Sequence, residues 1–175
     1  KDFPKALKIM KPVFKAGICV SELVLTANTG EKLGNVVIPA GKIGFATVCG
    51  VAINGVLLKN GVPIESKFGG VLEIKESKPF RFTAIINYGG TSLDPSEQYI
   101  RARMTSVGEA IKSGNGKILA NFREIPAPAR VIVEDTAESL KSAGINGIYY
   151  LGRMSEPVCQ LEVGMNRVGV LLLGG

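Results

Sequence analysis

Apolar and polar residues alternate with two different periods along this chain, and the change of period marks its elements. Between residues 72 and 86 the period is two. Leu72 and Ile74 alternate with Glu73 and Lys75, and Phe80, Phe82, Ala84 and Ile86 alternate with Arg81 and Thr83. Side chains two apart share one face of a strand, so this pattern predicts an antiparallel hairpin with one wet face, turning at Glu76-Ser77-Lys78-Pro79. From Asp94 the period becomes helical. Ile100, Met104, Val107 and Ile111 fall on one stripe. Their helix starts with Asp94 as N-cap, Pro95 as first helical residue and Glu97 closing a capping box. Gly114 and Gly116 stop it, and Ile118, Ala120 and Phe122 alternate along the next strand. A second long helix opens at Pro126 and Pro128, carries the stripe Ile132, Val133, Ala137 and Leu140, and stops at Gly144.

The rest of the pattern is less regular. Residues 18–26 form a run of branched apolar residues that predicts a buried strand, with a turn at Asn28-Thr29-Gly30 and a short strand over 36–38. Residues 46–59 have the Val and Ile content of a strand. Their length, and Val48, Val51, Ala52, Val56 and Leu58, favour a buried helix ending at Asn60-Gly61. Residues 148–151, 158–163 and 168–173 read as strands. The order from Ile18 to Ile125 is therefore βαββαβ, a ferredoxin-like half. The expected class is α+β: an antiparallel sheet with helices on one face, in three parts. Residues 1–15 form a basic linker with Lys1, Lys5, Lys8, Lys11 and Lys15, in which Pro12 would end a short helix. Residues 16–125 form the ferredoxin-like subdomain, and 126–175 a smaller α+β subdomain. The chain opens without Met and ends at Gly174-Gly175 directly after an apolar strand, which reads as a piece of a longer protein with its last subdomain cut short.

Composition narrows the function. A chain of 175 residues with 46% hydrophobic content can bury a core and is not a disordered tail. Its net charge of +6 favours anionic partners. The absence of histidine excludes Ser-His-Asp and Cys-His hydrolases and His-ligated metal sites. Cys19, Cys49 and Cys159 are too sparse for a disulfide framework and form no CxxC, so they read as small buried hydrophobes in a cytoplasmic protein. No apolar run approaches the ~20 residues that span a membrane.

Chemistry concentrates in Asn87-Tyr88-Gly89-Gly90-Thr91-Ser92-Leu93-Asp94-Pro95. A strand runs out, Gly89 and Gly90 permit unusual backbone angles, and the hydroxyls of Thr91 and Ser92 precede a capped helix. Free N–H groups in such a loop can hold an anion. The same pattern also makes a tight β-to-α turn, and Asp94 competes for the same donors. Gly114-Asn115-Gly116-Lys117 lacks the hydroxyl and spacing of a Walker A loop. Cys49 has no histidine to activate it, so a packed thiol is the plainer reading. Arg81, Arg101, Arg103 and Arg123 have the fork geometry to clamp a carboxylate, or simply face solvent.

Several stretches together resemble a known family: residues 47–59, Gly61-Val62-Pro63, Phe68-Gly69-Gly70, residues 89–95, Arg167-Val168-Gly169 and Gly174-Gly175. They are similar to the regulatory domain of the nitrogen-responsive transcriptional repressors of methanogenic archaea (NrpR type), over roughly residues 16 to 175. The resemblance implies a non-enzymatic, effector-sensing and dimerising domain that binds 2-oxoglutarate and thereby releases DNA. DNA would be held only through an upstream helix-turn-helix that this chain lacks. It implies no cofactor, no metal, no membrane partner and a homodimer. The expected effector site is Gly89, Gly90, Thr91 and Ser92, joined by Thr47 and Cys49 on a neighbouring element. An enzyme acting on a small anionic metabolite and a purely structural dimerisation module are the alternatives.

Overall fold

The structure is a computed structural model describing residues 2–174; Lys1 of the basic segment and Gly175 of the terminal pair lie outside the described residues. The basic segment forms helix α1 (Phe3–Lys15). Phe3, Leu7, Met10 and Phe14 are half-buried along one stripe, while Lys5, Lys8, Lys11 and Lys15 face solvent. Pro12 does not end this helix. Its ring removes one N–H, but its carbonyl still accepts from Ala16 N at 3.0 Å and the helix runs on to Lys15. The Phe3 ring lies 5.9 Å from that of Phe45, so this segment is docked on the body instead of hanging free as a linker.

Four short strands follow: β1 (Val24–Ala27), β2 (Lys32–Leu33), β3 (Val36–Val37) and β4 (Gly44–Thr47). β1 pairs with β4 and β2 with β3, in two separate two-stranded ribbons. The buried strand expected over 18–26 is thus reduced to its end, and Leu25 is 66% exposed. The cause is Ser21. Its hydroxyl accepts from Leu23 N at 3.0 Å and donates to the Gly144 carbonyl at 2.5 Å. That pins residues 20–21 to the loop at Gly144 and stops them from extending the strand. α2 (Gly50–Lys59) is the helix favoured by the pattern, although Ala46 and Thr47 belong to β4.

β5 (Glu65–Lys75) and β6 (Lys78–Asn87) form the expected hairpin. Its turn is tighter than expected, with only Glu76 and Ser77 between the strands, both left-handed at φ 50° and 63°. Pro79 falls inside β6, an edge strand, where its missing N–H costs least. The single helix expected after Asp94 is two: α3 (Pro95–Arg101) and α4 (Val107–Ser113). Arg103 is left-handed at φ 53°, and Ser106 exchanges backbone and hydroxyl hydrogen bonds with Lys117 at 2.8 and 3.0 Å. Those bonds take the backbone out of the helix that the apolar spacing alone would continue.

β7 (Gly116–Pro126) leads through a 3-10 turn at Ala127–Ala129 into α5 (Arg130–Ser142), followed by β8 (Ile148–Met154) and β9 (Arg167–Leu173). The α5 stripe is buried at Val133, Thr136 and Leu140, whereas Ile132 is 43% exposed. Residues 158–163 are not a strand. Val158 pairs with Leu161 across Cys159 and Gln160, both left-handed, which makes a tight turn.

The main sheet is antiparallel throughout, in the order β6-β5-β7-β9-β8. The α+β class and antiparallel sheet are as expected, but the connectivity differs from a ferredoxin-like half. β1 pairs outside this sheet, and β9 and β8 complete it beyond β7. The sheet therefore runs unbroken across residues 125 and 126, where a subdomain boundary was expected. The reason is hydrophobic: Val168 and Val170–Leu173 are at most 1% exposed and need cover on both faces, which a central position beside β7 provides. Phe122 stacks on Phe68 at 5.3 Å, and Phe68 meets Phe82 edge-on at 4.9 Å. Ile53 and Leu57 of α2 and Val133 and Leu140 of α5 join the same core.

Candidate functional site

The loop after β6 is where a site is expected, and its local chemistry is now explicit. Gly90 is left-handed at φ 82°, and nothing lies within 4 Å of a side chain placed on Gly89 or Gly90. A valine at position 90 would therefore fill no cleft and would act through its backbone angle. Thr91 Oγ1 accepts from Leu93 N at 3.1 Å, a local turn bond. Gly89 and Gly90 form a turn, and among the described residues the backbone N–H groups of Gly89, Gly90 and Ser92 make no hydrogen bond. The start of α3 is different. Asp94 Oδ1 accepts from Ser96 N at 2.8 Å and Glu97 N at 3.4 Å, so the cap is filled. Glu97 does not close a capping box; its carboxylate pairs with Arg101 at 2.5 Å. The free donors belong to the loop, not to the seven-residue helix behind it.

Tyr88 connects this loop to the second expected element. Its N–H bonds the Lys67 carbonyl at 3.0 Å, and its phenol donates to Asn121 Oδ1 at 2.5 Å. A methyl group on Gly69 would sit 2.8 Å from Pro95 Cβ and 3.1 Å from Tyr88 Oη, so the glycine is what lets α3 and the phenol lie against the sheet. Asn121 Nδ2 in turn lies 3.8 Å from where a Cβ on Gly50 would be. The start of α2 and the Gly89–Gly90 loop thus meet the same patch of sheet, through Tyr88 and Asn121. Cys49 occupies the N-cap of α2, is exposed and makes no side-chain cap bond. The first-turn N–H groups of any α-helix lack intrahelical partners, so this end of α2 is a source of free donors.

Thr47 is placed differently. It pairs with Val24 at the end of β4 and lines a groove of about 310 Å³ between α1 and the body. The groove is walled by Met10, Val13, Phe14, Val48 and Leu173, an apolar surface unsuited to a carboxylate. Thr47 thus lines an apolar groove, whereas the polar groups near the expected residues gather at Tyr88 and Asn121.

The arginines separate cleanly. Arg81 pairs with Glu73 at 2.7 Å, Arg101 pairs with Glu97, and Arg103 is exposed. Arg123 is 3% exposed, and its Nε and Nη1 are enclosed without a hydrogen-bond partner. Its guanidinium lies over the Tyr88 ring at 5.1 Å. It is two residues from Asn121 on β7, hence on the same face. Sequence reasoning held Arg123 level with three other arginines; only its strand neighbours distinguish it. The other thiols are inert. Burial pushes Cys159 up to about 11. Burial, helped by the Glu22 charge, raises Cys19. Among the described residues no cluster of three potential metal ligands occurs, and no helix is long and apolar enough to cross a membrane.

Comparison with known proteins shows the family to which the fold belongs. The family described as "NrpR regulatory domains NRD1 and 2" matches residues 1–175. The chain is 36% identical over 174 residues to the global nitrogen regulator NrpRI of Methanosarcina mazei, which covers 99% of this chain and 53% of that protein. It is 33% identical over 175 residues to the global nitrogen regulator NrpR of Methanocaldococcus jannaschii, covering 100% of this chain and 28% of that protein. A crystal structure of a nitrogen repressor-like protein from Methanococcus jannaschii matches with a TM-score of 0.77 at 31% identity, over 99% of this chain and 69% of that one. The class is that of an α+β regulatory domain. The chain belongs to the family of NrpR regulatory domains, and it spans about half the length of the Methanosarcina relative.

Proposed function

We propose that this chain is the effector-sensing and dimerising domain of a nitrogen-regulatory transcriptional repressor, and that it binds 2-oxoglutarate. The effector lies between the Gly89–Gly90–Thr91–Ser92 loop and the start of α2 at Cys49, with Thr47 on the flank of the same connection. Binding changes how the domain holds its partners and releases DNA gripped by a separate helix-turn-helix. The chain works as a cytoplasmic homodimer, since a two-fold regulator suits a palindromic operator, and it acts by binding, not by turnover.

The observation that carries this reading is the convergence of two donor-rich backbone segments on the Tyr88–Asn121 pair. 2-Oxoglutarate is a dianion, and fixed N–H dipoles stabilise a carboxylate without reorganisation. Calorimetry on the purified chain tests it. Saturable binding of 2-oxoglutarate, with glutamate much weaker, is the expected result. Heat no different from buffer at millimolar effector would reject it. In the full-length repressor, 2-oxoglutarate should dissociate operator DNA, and sedimentation of this chain should give a dimer at micromolar concentration.

A further inference from the structure

We infer that Arg123 is the cationic anchor of an anion subsite on the sheet face beneath α2, and that it takes a carboxylate. Three observations point there. Arg123 as a residue is 3% exposed, and its Nε and Nη1 are buried without a partner. A buried charge without a counter-ion is costly, and a fold keeps one where something else supplies the opposite charge. No carboxylate of the described residues lies within ion-pairing distance of it; the neighbouring Glu124 pairs with Lys67 at 3.3 Å and accepts from Gly164 N.

The surroundings are built for an acceptor. In the sheet register Arg123 stands opposite Ser66 on one side and Val170 on the other. α2 passes over this patch: Gly50 abuts Asn121, and Asn54 Nδ2 donates to Ser66 Oγ at 3.2 Å. Asn54 Oδ1 is also buried without a partner. Exchanging the oxygen and nitrogen of that amide resolves the mismatch. Ser66 Oγ–H then donates to Oδ1, and Nδ2 is left as a buried donor on α2. The guanidinium lies over the Tyr88 ring at 5.1 Å. The ten-residue α2, uncapped by Cys49, adds the positive end of its dipole. A buried guanidinium with free N–H groups, close to the uncapped start of a helix, suits a carboxylate.

This assignment rests on the proposed effector role only for the choice of first probe. Calorimetry and thermal melts are run on the chain with 2-oxoglutarate, glutarate and inorganic phosphate. The variants are Arg123→Met, Arg123→Lys and Asn121→Asp. Asn121→Asp keeps an acceptor for Tyr88 and places a negative charge on the face of Arg123, which competes for the guanidinium and repels an incoming carboxylate. The expected result is a loss of 2-oxoglutarate affinity of at least tenfold in Arg123→Met and Asn121→Asp. The lysine variant falls between, because it keeps the charge and loses the fork. Without ligand, Arg123→Met should melt no lower than the wild type, since it removes an uncompensated buried charge. Should Arg123→Met fail to fold, the other two variants decide. If the wild type binds 2-oxoglutarate and affinity stays within twofold in every folded variant, the anchor assignment is wrong while the effector reading survives. If 2-oxoglutarate is not bound but glutarate or phosphate raises the wild-type melting temperature in an Arg123-dependent way, the effector reading fails and the subsite stands. If no anion affects the wild type, and Arg123→Met melts lower, Arg123 is a packing cation on Tyr88 with water on its free nitrogens, and the inference is overturned.

Discussion

The phenol of Tyr88 donates a 2.5 Å hydrogen bond to the side-chain carbonyl of Asn121, joining the last residue before the glycine loop to the middle strand of the sheet. That bond fixes where the loop leaves β6, and Asn121 fixes where α2 begins. Tyr88→Phe keeps the ring under Arg123 and deletes only the bond. Asn121 is half-buried, so the loss in stability should be about 1 kcal/mol by urea denaturation. The affinity for 2-oxoglutarate should fall by more than that stability change predicts, because the loop loses its anchor.

The glycines of this region are predicted to behave oppositely. Gly69→Ala drives a methyl group to 2.8 Å from Pro95 and should cost about 1–3 kcal/mol as α3 is pushed off the sheet. Gly89→Ala meets nothing within 4 Å, so its urea midpoint should match the wild type while ligand affinity drops if the effector approaches the loop backbone.

At Gly90, with φ at 82°, Gly90→Val should destabilise by about 1–2 kcal/mol through the left-handed angle alone. Thr91→Ala loses only the turn bond to Leu93, so its melting temperature should change little. Both should weaken 2-oxoglutarate binding in calorimetry; unchanged affinity in both would return the loop to a plain β-to-α turn.

The cysteines should label in a fixed order. Cys49 is exposed at the start of α2 and should react first with iodoacetamide. Cys159, its thiol pushed up to about 11, holds only about one thiolate in a thousand at pH 8 and should stay unlabelled in the folded chain. Peptide mass spectrometry reads the order, and 2-oxoglutarate should slow labelling at Cys49 if the effector sits beside it.

Lys67 pairs with Glu65 on its own strand at 2.8 Å and ties β5 to β7 through Glu124 at 3.3 Å. Hydrogen bonding to Lys67 holds the Glu65 carboxyl below its ordinary range, and Glu65 with Glu124 raises Lys67. A depressed carboxylate contributes stability above its unfolded pKa and loses it as pH falls through the folded one. A raised lysine contributes below its unfolded pKa and loses it as pH rises through the folded one. The network should therefore be complete from about pH 5 to about pH 10. Lys67→Met should lower stability in that window by more than the ~1 kcal/mol of an exposed pair, since it also leaves the buried Glu124 carboxylate without its cation, and the difference should narrow in acid.

Where the sequence was legible, the signal was local. The alternation over 72–86, the Asp94-Pro95 start and the glycine stop at Gly114 each depend on neighbours within a few residues, and all three elements are present. Where it misled, distant residues had intervened. Lys117 breaks the helix at Ser106, Gly144 holds Ser21 out of a strand, and β1 is left to pair with β4. The site divides the same way. The glycine loop was marked by its own composition, because glycines before a capped helix need no outside partner to stand out.

Arg123 carried no such mark. Its sequence neighbours, Phe122 and Glu124, say nothing of its burial. Its setting comes from Ser66, Val170, Tyr88 and the start of α2, residues up to more than fifty positions away, brought together by the register β5-β7-β9. The sequence by itself determined the class of the fold, the hairpin, the helix start at Asp94-Pro95 and a net charge of +6. Only the tertiary structure decided which arginine is buried without a partner, because burial and counter-ions are properties of what packs around a residue, and strand order sets that packing.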